Sequence, residues 1–214
     1  MKQYIHAVPN FSDGRRQDVI DAIVGQFRNR PGVKLIDCYP NADFNRTVIE
    51  VIGEPQPLKA ALLDMTRKSV ELIDMEEQKG DHPRIGAQDT IPIFPMKNIT
   101  LEECVNLAEE IGKEIYKELN LPVYFSAENA RVPERKSLDF IRKGQYEGLK
   151  EVVDDPNRAP DIGKGLHPTA GAVIVSAGTN PLVAYNVFLG TDKLEIAKSI
   201  AKVVRGPSGG FSTI

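Results

Sequence analysis

The sequence predicts an α+β fold with a mainly antiparallel sheet, its first two helices covering one face. Three observations predict it. Short apolar runs with strand-like composition alternate with longer segments whose apolar residues recur at helical spacing. The first six elements follow the order strand, helix, strand, strand, helix, strand, a βαββαβ unit. The second and third strands are separated only by the polar stretch NADFN, which fits a hairpin and excludes a crossover.

Each element has its own signal. QYIHAVPN reads as a short strand closed by a Pro-Asn turn. SDG then starts a helix whose apolar face is Val19, Ile20, Ile23, Val24 and Phe27, and Pro31-Gly32 breaks it. VKLIDCY reads as a buried strand and RTVIEVIG as its hairpin partner. The strongest helical pattern is LKAALLDMTRKSVELIDMEEQ, with Leu58, Ala61, Leu62, Met65, Leu72 and Ile73 along one stripe. TIPIFP is a strand. Thr100 and Glu103 form a capping box that opens a helix through Leu119. LPVYFS is a further strand, and ARVPERKSLDFIRKGQYEGL is mixed short helix and loop. NRAPDIGKGLHPTAG is long, rich in Gly and Pro and without periodicity; loops of that kind inside a domain are uncommon and often functional. AVIVSAG and LVAYNVFLG read as strands around the turn TNP, and Asp192 to Glu195 opens a last helix to about Val204.

Bulk properties narrow the function. The 214 residues carry 41% hydrophobic and 27% charged residues, enough for a core that needs no disulfide staples. A net charge of −3 points to neither nucleic acid nor an anionic membrane. The two cysteines, Cys38 and Cys104, have no metal-type spacing and read as buried free thiols of a reducing compartment. No secretory signal and no apolar run of membrane-spanning length is visible, so a cytoplasmic protein is expected.

Four segments can carry chemistry. His82, in KGDHPRIGAQD, lies on a loop, because Pro83 pushes its predecessor out of the helical region. A near-neutral imidazole there suits proton transfer, with Arg84 beside it as a carboxylate fork; the plain alternative is a surface histidine at a helix C-terminus. In GKGLHPTAG, glycines would let the backbone approach a ligand, with Lys164 adding charge; the alternative is a connector that needs turns. VPNFSDGRR offers backbone N–H groups and arginines to an anion, and NADFNRTV aims Asn45 and Arg46 from a loop into a strand; capped helix and hairpin turn are their structural readings. His6 alternates within a strand and reads as structural. No HExxH, CxxC or dinucleotide motif occurs, and three scattered histidines do not make a metal site.

Taken in order, VPNFSDGRR, NRTV, DHPRIGAQD, PDIGKGLHPTAGA and NVFLGT resemble the glutamate formiminotransferase (glutamate formimidoyltransferase) family. The resemblance implies ferredoxin-like α/β halves, an N-terminal subdomain over 1–178 and a C-terminal subdomain starting at 179 and cut short at 214. It implies formimino transfer between N-formimino-L-glutamate and tetrahydrofolate, the latter a co-substrate, without a metal. The alternatives are formyl transfer from 5-formyltetrahydrofolate to glutamate, or a non-catalytic folate-binding or assembly module. It implies His82 as general acid/base and Gly163, Lys164, Gly165, Leu166, His167, Pro168, Thr169, Ala170, Gly171 and Ala172 as the folate loop. Asn10, Asn45, Arg46 and Arg84 are weaker substrate contacts, and Asp43 is the nearest loop carboxylate to orient His82. Tyr39 stands where some relatives carry an acidic residue. A cytoplasmic homodimer is implied, or a second chain completing the C-terminal part, with no nucleic acid or membrane partner.

Overall fold

A computed structural model describes residues 1–180 and 189–204. The chain divides into two compact units, Met1–Pro181 and Leu182–Ile214.

The first unit is built on one seven-stranded sheet. Its strands are β1 (Tyr4–Ala7), β2 (Asn10–Phe11), β3 (Val33–Asn41), β4 (Arg46–Gly53), β5 (Gln88–Lys97), β6 (Val123–Ala127) and β7 (Val173–Ala177). β1 and β2 both pair with β4 on one side and with β5 on the other, all antiparallel. Pro9, which has no N–H to give a ladder, lies between them. β3 pairs antiparallel with β4 alone, as the hairpin pattern predicts. β5 pairs parallel with β7, and β7 parallel with β6. The sheet is therefore mixed, with antiparallel pairings from β1 to β5 and parallel ones through β7. The parallel pairs arise because α3 (Leu101–Leu119) carries the chain back across the sheet between β5 and β6.

α1 (Gln17–Val24), α2 (Pro55–Leu72) and α3 put their apolar stripes into one large core with Ile5, Ala7, Ile49, Val51, Ile91, Ile93, Val123, Phe125, Val173 and Val175. α3 starts at the predicted box: Glu103 N–H donates to Thr100 Oγ1 (3.2 Å) and Thr100 N–H to Glu103 Oε2 (2.7 Å). Alternate residues of β6 and β7, Tyr124 and Ile174, point the other way. There they pack with Ile85, Ala172, Ile141 of α4 (Leu138–Arg142) and Leu149 of α5 (Gln145–Val152). This second, smaller core holds the α4–α5 segment under the edge where β5 begins.

Two sequence expectations change. β3 is not buried: paired on one edge only, it exposes Ile36 and Tyr39. Cys104 is buried, but Cys38, on that strand, is only half-buried. The strand expected over LVAYNVFLG lies mostly outside the described residues, whereas α6 (Leu194–Val204) forms as its pattern predicts.

Candidate functional site

The loops before β4 and β5 and the turn after β2 meet through side chains that the sequence marks only as polar. Asn45, at φ +46°, accepts from Gly14 N–H (3.0 Å) and donates to the Lys79 carbonyl (2.9 Å). Gln78 donates to the Asn45 carbonyl (3.0 Å). These bonds tie 13–16, 41–46 and 78–81 into one rim.

Beneath the rim lies a buried charged cluster. Asp89, wholly buried at the start of β5, accepts on Oδ2 from Arg46 Nη1 (2.7 Å) and from Arg142 Nη2 (2.5 Å). Its Oδ1 accepts from Ile85 N–H (2.8 Å). Arg46 Nε donates to Asn10 Oδ1 (3.0 Å). Burial alone would raise the Asp89 carboxyl; the two guanidiniums outweigh it and hold the group at about 2.

His82 lies within electrostatic reach of this cluster. Its Nδ1 lies 2.7 Å from the Pro83 carbonyl, which can only accept, so Nδ1 carries the proton and Nε2 keeps its lone pair. The Phe44 ring meets the imidazole edge-on at 5.7 Å. Burial, then the Arg46 charge, push the His82 pKa down to about 4, with Arg142 adding to the effect and the Pro83 carbonyl opposing it. The imidazole is thus neutral at pH 7 and a weaker base than the near-neutral value expected from its type. Among the described residues no carboxylate orients it: Asp43 reaches the loop only through its backbone, accepting from Asp81 N–H (3.3 Å).

The glycine-rich segment is fastened to the same loop. Ala87 N–H donates to the Ala170 carbonyl (2.9 Å) and Ala172 N–H to the Ile85 carbonyl (3.1 Å). At Gly171, φ is +71° and a Cβ would stand 2.2 Å from the Ile85 carbonyl oxygen, so only glycine permits this approach. Gly165, also at positive φ, faces open space. His167 and Gly171 exchange backbone hydrogen bonds (2.8 and 3.1 Å), and His167 Nδ1 accepts from Ala170 N–H (3.1 Å). Lys164, Pro168 and Thr169 are exposed, while Gly163, Leu166 and His167 are half-buried. The two segments that sequence reasoning singled out therefore share a backbone seam.

The family described as "Formiminotransferase domain, N-terminal subdomain" matches residues 4–178. The chain belongs to this family. It is 41% identical over 212 residues to a glutamate formimidoyltransferase of Streptococcus pyogenes serotype M1, covering 99% of this chain and 71% of that protein. A glutamate formimidoyltransferase of Thermoplasma acidophilum is 38% identical over 212 residues, covering 98% of this chain and 70% of its own length. A formimidoyltransferase-cyclodeaminase of Dictyostelium discoideum is 40% identical over 210 residues, of which this chain spans 39%.

Within this formiminotransferase fold several candidates take structural roles. Arg84 is buried and its five donors are all engaged: Nε and Nη2 to Gln78, Nη1 to Gln145, and both terminal nitrogens to Glu147 at 2.8 Å. It clamps α5 to the His82 loop and has nothing left for a substrate. Asn10 spends Nδ2 on the Val8 carbonyl (2.7 Å) and Oδ1 on Arg46. The N–H groups expected to cradle an anion in VPNFSDGRR hold an internal one: Asp13 Oδ1 accepts from Arg15 and Arg16 N–H (both 3.0 Å). An open cleft of about 440 Å³ runs along Arg15, Lys79, Gly80, Asp81, Arg84, Gln145 and Glu147 beside the His82 loop. Sequence reasoning missed Asp89 and Arg142. Asp89 closes the quoted motif DHPRIGAQD, seven residues after His82, and a carboxylate entering an apolar strand was its signal. Arg142 sits in a segment without pattern and gave none. Among the described residues no cluster of His, Cys, Asp or Glu could hold a metal ion, and no helix is long and apolar enough to cross a membrane.

Proposed function

We propose that this chain transfers a formimino group between N-formimino-L-glutamate and tetrahydrofolate, with His82 moving the protons. Relatives of similar sequence named glutamate formimidoyltransferase support the reaction. The observation that carries the assignment of His82 is its fixed tautomer, with an unengaged Nε2, on a loop hydrogen-bonded to the glycine-rich segment. A folate nitrogen attacks the amidine carbon while Nε2 takes its proton. The tetrahedral intermediate then collapses, and the same proton goes to the departing glutamate nitrogen. A substrate carboxylate offsets the charges of Arg46 and Arg142, so the imidazole becomes a stronger base once substrate is bound. Segment 163–172 is the folate surface, and the first unit is a ferredoxin-like half whose partner half begins in the second unit. A cytoplasmic homodimer completes the reading.

The test is formation of 5,10-methenyltetrahydrofolate, followed with a coupled cyclodeaminase, for wild type and His82→Ala. The variant should lose about 10²–10⁴-fold in kcat. Undiminished turnover removes His82 from the mechanism. Folate binding without turnover in the wild type makes the chain a binding module.

A further inference from the structure

The charged cluster whose field His82 feels does not balance. Arg46 and Arg142 together carry two positive charges and share one oxygen of Asp89; among the described residues neither pairs with a second carboxylate. Arg46 is 6% exposed and Asp89 not at all, so one excess positive charge sits where water cannot solvate it well. Arg142 donates through Nη2, and its buried Nε has no partner among the described residues. A guanidinium with unused donors beside an over-subscribed carboxylate is built to receive a second anion.

The chemistry of the proposed reaction says which anion, and the inference rests on that reading. The transferred carbon must stand within reach of His82 Nε2. In the formimino amino acid, that carbon is bonded to the nitrogen on the α-carbon, so the α-carboxylate lies only a few bonds from the reacting centre. The carboxylates of a folate lie at the far end of its glutamate tail, and the γ-carboxylate of the amino acid is a three-carbon arm away.

We propose that Arg142, positioned by Asp89, binds the α-carboxylate of the formimino-amino-acid substrate and so determines that an α-amino acid is the donor. α4 is then a binding element, and Asp89 sets where its guanidinium stands. Arg46, with its Nε on Asn10 and its Nη1 on Asp89, is the fixed member of the pair.

Binding is the test, because it reads the site whether or not transfer occurs. L-glutamate, its γ-amide and its α-amide are titrated by calorimetry into the whole chain, as wild type, Arg142→Gln and Arg142→Lys. The wild type should prefer glutamate and the γ-amide to the α-amide by at least tenfold. Arg142→Gln should bind all three equally, and Arg142→Lys, which keeps the charge on Asp89 but not the fork, should lose at least fivefold of the preference. In turnover, both should raise KM for formiminoglutamate while KM for tetrahydrofolate stays within twofold. A wild-type preference retained in either variant overturns the proposal, as does a wild type indifferent to the α-amide. Discrimination in a wild type that shows no turnover sustains the anion site and removes the transferase reading instead.

Discussion

His82 and the glycines opposite it show how single residues fix this site. The imidazole titrates at about 4 in the folded chain against an ordinary value of 6.5, burial being the first cause and Arg46 the second. Between those values the unfolded chain binds the extra proton, so stability is full above pH 6.5 and falls as pH drops towards 4. His82→Gln should flatten that part of a melting-temperature profile; an unchanged slope between pH 6.5 and 4 would place the charge sensitivity elsewhere. The glycines make a paired prediction. Positive φ alone makes an alanine cost about 1–2 kcal/mol. At Gly165 nothing else opposes a methyl group, so Gly165→Ala should stay folded, and, with 163–172 the proposed folate surface, lose folate affinity, because its Cβ would stand in the open space there. At Gly171 the Ile85 carbonyl stands 2.2 Å away, so Gly171→Ala should lose stability first and by more. Equilibrium denaturation and folate titration of the two variants separate these effects.

At the scale of elements, Arg84 is the buried tie between α5 and the His82 loop, beside the contacts of Lys79 with Glu147 (3.4 Å) and of Tyr146 with Glu76 (2.6 Å). Arg84→Met removes five hydrogen bonds and leaves Gln78 and Gln145 to find water, a loss of roughly 1–3 kcal/mol. Glu147→Gln should cost less than about 1 kcal/mol, since that carboxylate is half exposed. The Arg84 hydrogen bond holds the Glu147 carboxyl at about 2, below its ordinary 4.5, so the contribution is present above pH 4.5 and lost as pH falls towards 2. Denaturant titrations of both variants at pH 7 check the ranking; equal losses would mean that the ion pair, not the buried fork, carries the clamp. Elements were legible where pattern is local: the capping box at Thr100 appears where spacing puts it, and the stripe of α2 does so from Leu58 to Met65, whereas the helix stops at Leu72, with Ile73 as its extended C-cap, rather than running on through residue 78. Arg84 was misread because an arginine beside a histidine looks the same in sequence whether its fork faces a ligand or Glu147. β3 was misread for a related reason: an apolar run does not tell which edge of a sheet it will occupy.

The whole molecule explains what sequence could not supply. Asp89 meets Arg142 across 53 residues, and the glycine-rich segment meets the His82 loop through backbone bonds that no residue type announces. Those contacts exist because α3 returns the chain so that β7 lies parallel to β5, setting residues 169–172 beside 85–87. All this architecture belongs to the first unit. Every buried hydrophobic residue described lies between Ile5 and Ala177, and α6 buries none of its residues. A unit with its own continuous core should fold without the rest. Residues 1–180 expressed alone should therefore unfold in a single cooperative transition, with a melting temperature within about 5 °C of the 214-residue chain, a shift of roughly 1–2 kcal/mol for a domain of this size. The fragment should also keep the titration of His82 near 4, because Arg46, Arg142, Asp89 and Pro83 all lie within it. With only three histidines in the chain, proton NMR can follow each ring separately. Broad, non-cooperative melting, or a His82 signal titrating near 6.5, would show that the site needs residues beyond position 180 to hold its shape.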